Sequence, residues 1–124
     1  MKVVVIDDDL VVLQVAKAAL EKAGHEVVTL STAIGATAVL LRERPEAVLV
    51  DIDMPALNGN DWLQLIRERN LLGEDRQIGF ILYSGAEREE LDRLVSETGA
   101  LGGIQKSGDI TGFALAFSRI TQSL

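Results

Sequence analysis

Val3-Val4-Val5-Ile6-Asp7-Asp8-Asp9 is an apolar run with no polar interruption that passes directly into three carboxylates. A strand with one wet face alternates polar and apolar residues, whereas an unbroken β-branched run belongs to a strand covered on both faces, as in a parallel sheet. The same reading applies to Val27 to Leu30, Ala47 to Val50, Ile78 to Tyr83 and a weaker Gly103 to Gln105. Ala47 to Val50 also ends on acids, Asp51 and Asp53.

Helical patterns lie between the runs. Leu10 to Ala23 carries a polar stripe at Gln14, Lys17 and Glu21, and Gly24 is a natural stop. Ile34 to Arg44 ends against Pro45, and Asp61 to Leu71 is expected to bury Trp62, Leu65 and Ile66. Glu87 to Thr98 is expected to bury Leu91, Leu94 and Val95, with Arg88–Asp92 and Glu89–Arg93 spaced to pair outside. Thr111 to Ser123 places Phe113, Phe117 and Ile120 on one face.

Strand and helix thus alternate five times without linker or repeat. This predicts an α/β fold: one doubly wound, five-stranded parallel sheet with helices on both faces, single-domain over residues 1–124. Five strands suit the order 2-1-3-4-5, in which ligands sit beyond the carboxyl ends of strands 1 and 3. That is where Asp7, Asp8, Asp9, Asp51 and Asp53 fall.

Composition narrows the function. The 124 residues are 48% hydrophobic but only 4% aromatic, so the core is aliphatic. There are no cysteines, which excludes disulfides and thiolate metal sites. A net charge of -7 argues against direct nucleic acid binding or anionic membrane binding. No run reaches membrane-spanning length, and the expected location is cytoplasmic.

Carboxylates converging on strand tips repel one another, and a hard divalent cation is the natural compensation; Mg²⁺ takes one or two carboxylates plus water and phosphate oxygens. Strand 4 ends at Ser84, and Lys106 follows strand 5. A carboxylate is also an established nucleophile toward phosphoryl groups. One aspartate after strand 1 is explained as a helix cap, and Asp9 is the best placed; three are not.

Val-Val-Val-Ile-Asp7-Asp8-Asp9, Pro45-Glu-Ala-Val-Leu-Val-Asp51-Ile-Asp-Met54-Pro55, Ile-Leu-Tyr-Ser84-Gly and Ile-Gln-Lys106 together resemble the receiver domains of two-component response regulators, over the whole chain. The resemblance implies a flavodoxin-like fold and a protein that is switched rather than a turnover enzyme. Asp51 would be the phosphoacceptor, supplied by a sensor histidine kinase or phosphotransfer protein. Asp8 and Asp51 would ligate Mg²⁺ directly, Asp7 through water, and Asp53 by its backbone carbonyl. Ser84 and Lys106 would bind phosphoryl oxygens, Ser84 drawing its loop inward. Met54 and Pro55 are expected to shape the turn, His25 to be a surface turn residue, and Tyr83 to lie in the core or at its rim.

The sequence departs from the family on its output face. Gly103 stands where an aromatic residue is common, and Ser107 where proline is common. Gly85 replaces the commoner alanine, and Asn58-Gly59 the commoner Asp-Gly. The output is therefore expected to rely on backbone shifts and on the fourth and fifth helices. Asp53, two positions past the acceptor, is expected to border the path of attacking water. A downstream protein target or fused output domain is implied, and a homodimer through the fourth helix, fifth strand and fifth helix is left open. Few residues follow Lys106, so the chain is expected to be either a stand-alone regulator or part of a longer protein.

Two other readings compete. A degenerate receiver, acting as a protein-interaction module without phosphorylation, draws weight from Gly103 and Ser107. A haloacid dehalogenase-type phosphatase shares Asp51-Ile52-Asp53 but expects Thr or Val where Pro55 stands. A dinucleotide or flavin domain is disfavoured, because the loop after strand 1 is acidic and lacks glycines.

Overall fold

A computed structural model of the chain describes residues 1–53, 78–106 and 109–124. The apolar runs form β1 (Lys2–Ile6), β2 (Glu26–Leu30), β3 (Ala47–Asp51), β4 (Gly79–Ser84) and β5 (Gly102–Gln105). They pair in parallel, in the order β2-β1-β3-β4-β5. The expected topology is the observed one. The register aligns Ile6 with Leu30 and Val50, and Asp51 with Tyr83, so the carboxyl tips of the inner strands finish level.

The described helices are α1 (Leu10–Lys22), α2 (Ala36–Glu43), α3 (Arg88–Thr98) and α4 (Ile110–Ile120), the last continued by a short 3₁₀ turn, Thr121–Ser123. Asp9 caps α1, its carboxylate accepting from the amides of Val11 and Val12 at 2.9 and 3.3 Å. Asp109 does the same for α4 through Thr111 N–H at 3.0 Å. α2 begins later than the periodicity predicts: Gly35 takes a left-handed φ of 78° and leaves Ile34 outside the helix and exposed. Arg44, expected inside that helix, ends it with φ 51°. The expected Asp61–Leu71 helix, with Trp62, and the turn residues Met54, Pro55, Asn58 and Gly59 lie outside the described residues.

Because successive strand side chains point to opposite faces, each inner strand supplies two cores. Val4, Ile6, Val48, Val50, Phe80 and Leu82 pack with Ala36 and Leu40 of α2 and Leu91 of α3. Val3, Val5, Leu49, Ile81 and Ile104 pack on the other face with Leu13, Ala16 and Leu20 of α1 and Phe113 and Phe117 of α4. Most of these side chains are fully buried, as the continuous apolar runs require.

His25 is more than a surface turn residue. Its ring packs edge-on against Phe117 at 5.3 Å between centroids, and Nδ1 lies 3.2 Å from the Met1 ammonium nitrogen. Burial, with the ammonium beside it, lowers its pKa. Among the described residues no helix is long and apolar enough to cross a membrane.

Candidate functional site

Asp7 continues β1 by one residue, its N–H donating to the Leu30 carbonyl at 3.0 Å. Strand alternation then turns its side chain inward, where it is fully buried, and leaves Asp8 exposed. Oδ1 of Asp7 accepts from Asp9 N–H at 2.9 Å. Asp51, the last residue of β3, is only 2% exposed, and its Oδ1 accepts from Asp53 N–H at 2.8 Å. Carboxylate oxygens of Asp7, Asp8 and Asp51 all lie within 4.8 Å of one another.

Lys106 reaches this cluster from the end of β5. Its backbone N–H donates to the Ser84 carbonyl at 2.8 Å, fixing where the side chain departs. Nζ then lies 2.9 Å from Asp51 Oδ1 and 3.3 Å from Asp7 Oδ2. Beyond this ion pair, buried Oδ2 of Asp7 has no hydrogen-bond partner among the described residues. Burial, with the Asp51 charge adding to it, pushes Asp7 up to about 6, although Asp9 N–H and Lys106 pull the other way. For Lys106, burial lowers the pKa, but bonding and charge from Asp51 and Asp7 outweigh it and leave it raised.

Three convergent carboxylates answered by one ammonium, with one buried oxygen unmatched, suit a hard cation that prefers oxygen ligands. The donors are all oxygens, and Asp8 is open to solvent for waters to complete a coordination shell.

Ser84 ends β4 and is fully buried. Its hydroxyl donates to Asp53 Oδ1 at 3.0 Å, with Oδ2 at 3.3 Å, and accepts from Ala86 N–H at 3.0 Å. Gly85 N–H donates to Asp53 Oδ2 at 2.7 Å. The Asp53 side chain thus turns toward the β4 tip, and the three-acid group consists of the other three.

At Gly103 there is no room for the aromatic ring common in the family. A Cβ built there would stand 2.6 Å from Leu91 Cγ, because α3 has settled Leu91 into that space. The Arg88 guanidinium donates twice to the Gly103 carbonyl at 3.1 Å while pairing with Asp92. Gln105 Nε2 donates to the Ala86 carbonyl at 3.1 Å, tying the Ser84 loop to β5. Arg93, expected to pair with Glu89, pairs instead with Glu90 and Glu97. Sequence reasoning missed Leu91, Arg88 and Gln105 as partners of this region; only the bare glycine at 103 hinted that something else fills the gap. Ser107 lies outside the described residues. Tyr83 is half-buried, 5.3 Å from Lys106 Nζ to its ring centre. Beside Lys106, a groove of about 780 Å³ is lined by Val11, Val15, Tyr83, Ile110 and Phe113, among others.

This sheet, with its acids and lysine gathered at one end, defines a receiver module of two-component signalling. The chain belongs to the response regulator receiver domain family, whose model matches residues 3–116.

It is similar to the transcriptional regulatory protein AruR of Pseudomonas aeruginosa, 37% identical over 105 residues, covering 80% of this chain and 40% of that protein. It is also similar to protein PilH of the same organism, at 31% identity over 88 residues, covering 71% of this chain and 70% of PilH. Among solved structures, the chemotaxis protein CheY4 of Vibrio cholerae matches with a TM-score of 0.80 and 21% identity, over 96% of this chain and 97% of that one, which is a likeness of fold. The chain spans about two fifths of the length of AruR and of a second similar protein, the transcriptional regulatory protein YxdJ of Bacillus subtilis.

Proposed function

We propose that residues 1–124 form one receiver domain in which Asp51 accepts a phosphoryl group from the phosphohistidine of a sensor histidine kinase or phosphotransfer protein. An Asp51 carboxylate oxygen forms the new bond to phosphorus. The bond from phosphorus to the donor nitrogen breaks, and its electron pair returns to the imidazole, which leaves neutral because its ring carries or takes up a proton from solvent. The observation that carries this reading is Lys106 Nζ standing 2.9 Å from Asp51, itself one of three clustered carboxylates.

Asp8 and Asp51 would hold Mg²⁺ directly, Asp7 through water, and Asp53 by its carbonyl. The ion, when bound, supplies positive charge that offsets the charge of the transferring group, where most phosphoryl-transfer catalysis lies. Lys106 keeps hold of Asp51 and follows its phosphoryl oxygens as a compact cation. Ser84 donates to a phosphoryl oxygen and moves the loop at 85–87, which Gln105 ties to β5 as Arg88 ties α3 to the same strand. The modified domain is then read by a protein target or fused output domain, within the cytoplasm.

Incubation with acetyl phosphate and Mg²⁺, followed by intact-mass analysis, tests the reading. Wild type is expected to gain one phosphoryl mass and Asp51→Asn none. A wild type that never gains it would favour the phosphorylation-independent interaction module.

A further inference from the structure

We propose that Asp53 is a positioning residue that competes with the phosphoryl group: its carboxylate occupies the donors at the β4 tip, and modification of Asp51 must displace it. This rests on Asp51 being the phosphoacceptor, and adds a regulatory contact to that site.

The donors at the β4 tip are limited by their protons. Ser84 Oγ has one, and it is donated to Asp53 Oδ1 at 3.0 Å. The hydroxyl's acceptor side is taken by Ala86 N–H at 3.0 Å. Gly85 N–H also has one proton, donated to Asp53 Oδ2 at 2.7 Å. Ser84 is fully buried, so water does not readily substitute for either partner. A phosphoryl oxygen is an acceptor and needs one of the same protons. Lys106 differs, because an ammonium has three protons, and the two carboxylates beside it do not exhaust them. The competition therefore falls on Ser84 and Gly85 and spares Lys106.

Geometry makes Asp53 a local substitute for the incoming group. Its own amide is held by Asp51 Oδ1 at 2.8 Å, which anchors the backbone while the carboxylate spans to the neighbouring strand tip. The carboxylate itself is on an exposed residue, so when displaced it rehydrates without crossing protein. The unmodified domain is thus held with Ser84 satisfied and its loop settled. Asp53 sets how strongly a phosphoryl group must bind before the loop rearranges.

The test uses beryllofluoride with Mg²⁺ as the phosphoryl mimic, on wild type, Asp53→Asn, Asp53→Ala, Ser84→Ala and the Ser84→Ala/Asp53→Ala double variant. Asp53→Ala keeps the backbone carbonyl. Loss of charge-assisted hydrogen bonds at the tip is expected to tighten beryllofluoride binding about tenfold, with Asp53→Asn, which retains an acceptor, in between. The Gly85 amide proton of the unmodified protein should move upfield in Asp53→Ala, and in wild type on beryllofluoride binding.

In the Ser84→Ala background the gain from Asp53→Ala should shrink several-fold, because one of the contested protons is gone. An undiminished gain there means simple charge repulsion and overturns the proposal. Equal or weaker binding by Asp53→Ala also overturns it. Failure of wild type and every variant to bind beryllofluoride would instead overturn the phosphoacceptor reading.

Discussion

Asp7 is the carboxylate that bulk water does not reach, and its behaviour follows from that. Its proton affinity in the fold, about 6, lies above the 3.8 of a free aspartate, so the folded state binds the proton more tightly. Stability from this group is complete below about pH 4 and is lost as pH rises through 6. Asp7→Asn keeps the oxygen that accepts from Asp9 N–H but removes the buried charge. With chelator present, the variant should be more stable than wild type at pH 7, on the order of 2 kcal/mol, and no more stable at pH 4. Thermal melts at the two pH values check this; an equal gain at both would exclude a charge effect.

Elements respond to contacts between them as well as to their own sequence. Asp9→Ala removes the cap of α1 and should cost about 1 kcal/mol in urea unfolding, without preventing uptake of phosphoryl at Asp51. At the α3–β5 contact, Gly103→Ala would drive a methyl into Leu91 and should cost about 1–3 kcal/mol. Leu91→Ala alone opens a cavity. The Gly103→Ala/Leu91→Ala pair should lose less than the sum, a coupling read from the same unfolding curves.

Strands and their tips are legible in the sequence, and the meetings between elements are not. Unbroken runs such as Val3 to Ile6 and Ala47 to Val50 announced buried parallel strands, because burial on two faces leaves no polar positions. The convergence of Asp7, Asp8, Asp51 and Lys106 followed from strand tips finishing at one end. The direction of the Asp53 side chain, the Leu91 packing at Gly103 and the Arg88 bond to its carbonyl did not follow. Each depends on a meeting of elements well separated along the chain, which no local period encodes. α2 starts later than its apolar rhythm predicts because Gly35, in the left-handed region, leaves Ile34 outside the helix. Arg93 chose partners one turn away on either side, a choice among similar exposed geometries.

For the whole molecule, the acidic end is a locus where ligand binding and folding are linked. A cation bound only by the native arrangement stabilises it by about 2.7 kcal/mol at a hundred times its dissociation constant. Urea unfolding with and without Mg²⁺ should show an increase of that size in wild type and most of it lost in Asp51→Asn.

Parallel pairing places β3 beside β1 only after α1, β2 and α2 have been traversed. In a disordered chain, therefore, the acid pair and Asp51 are strangers, and an ion needing both finds nothing to hold. Mg²⁺ becomes a clock for the moment those two strands meet. Ion dependence confined to the unfolding arm of a chevron dates the encounter after the barrier, and dependence in the refolding arm dates it before.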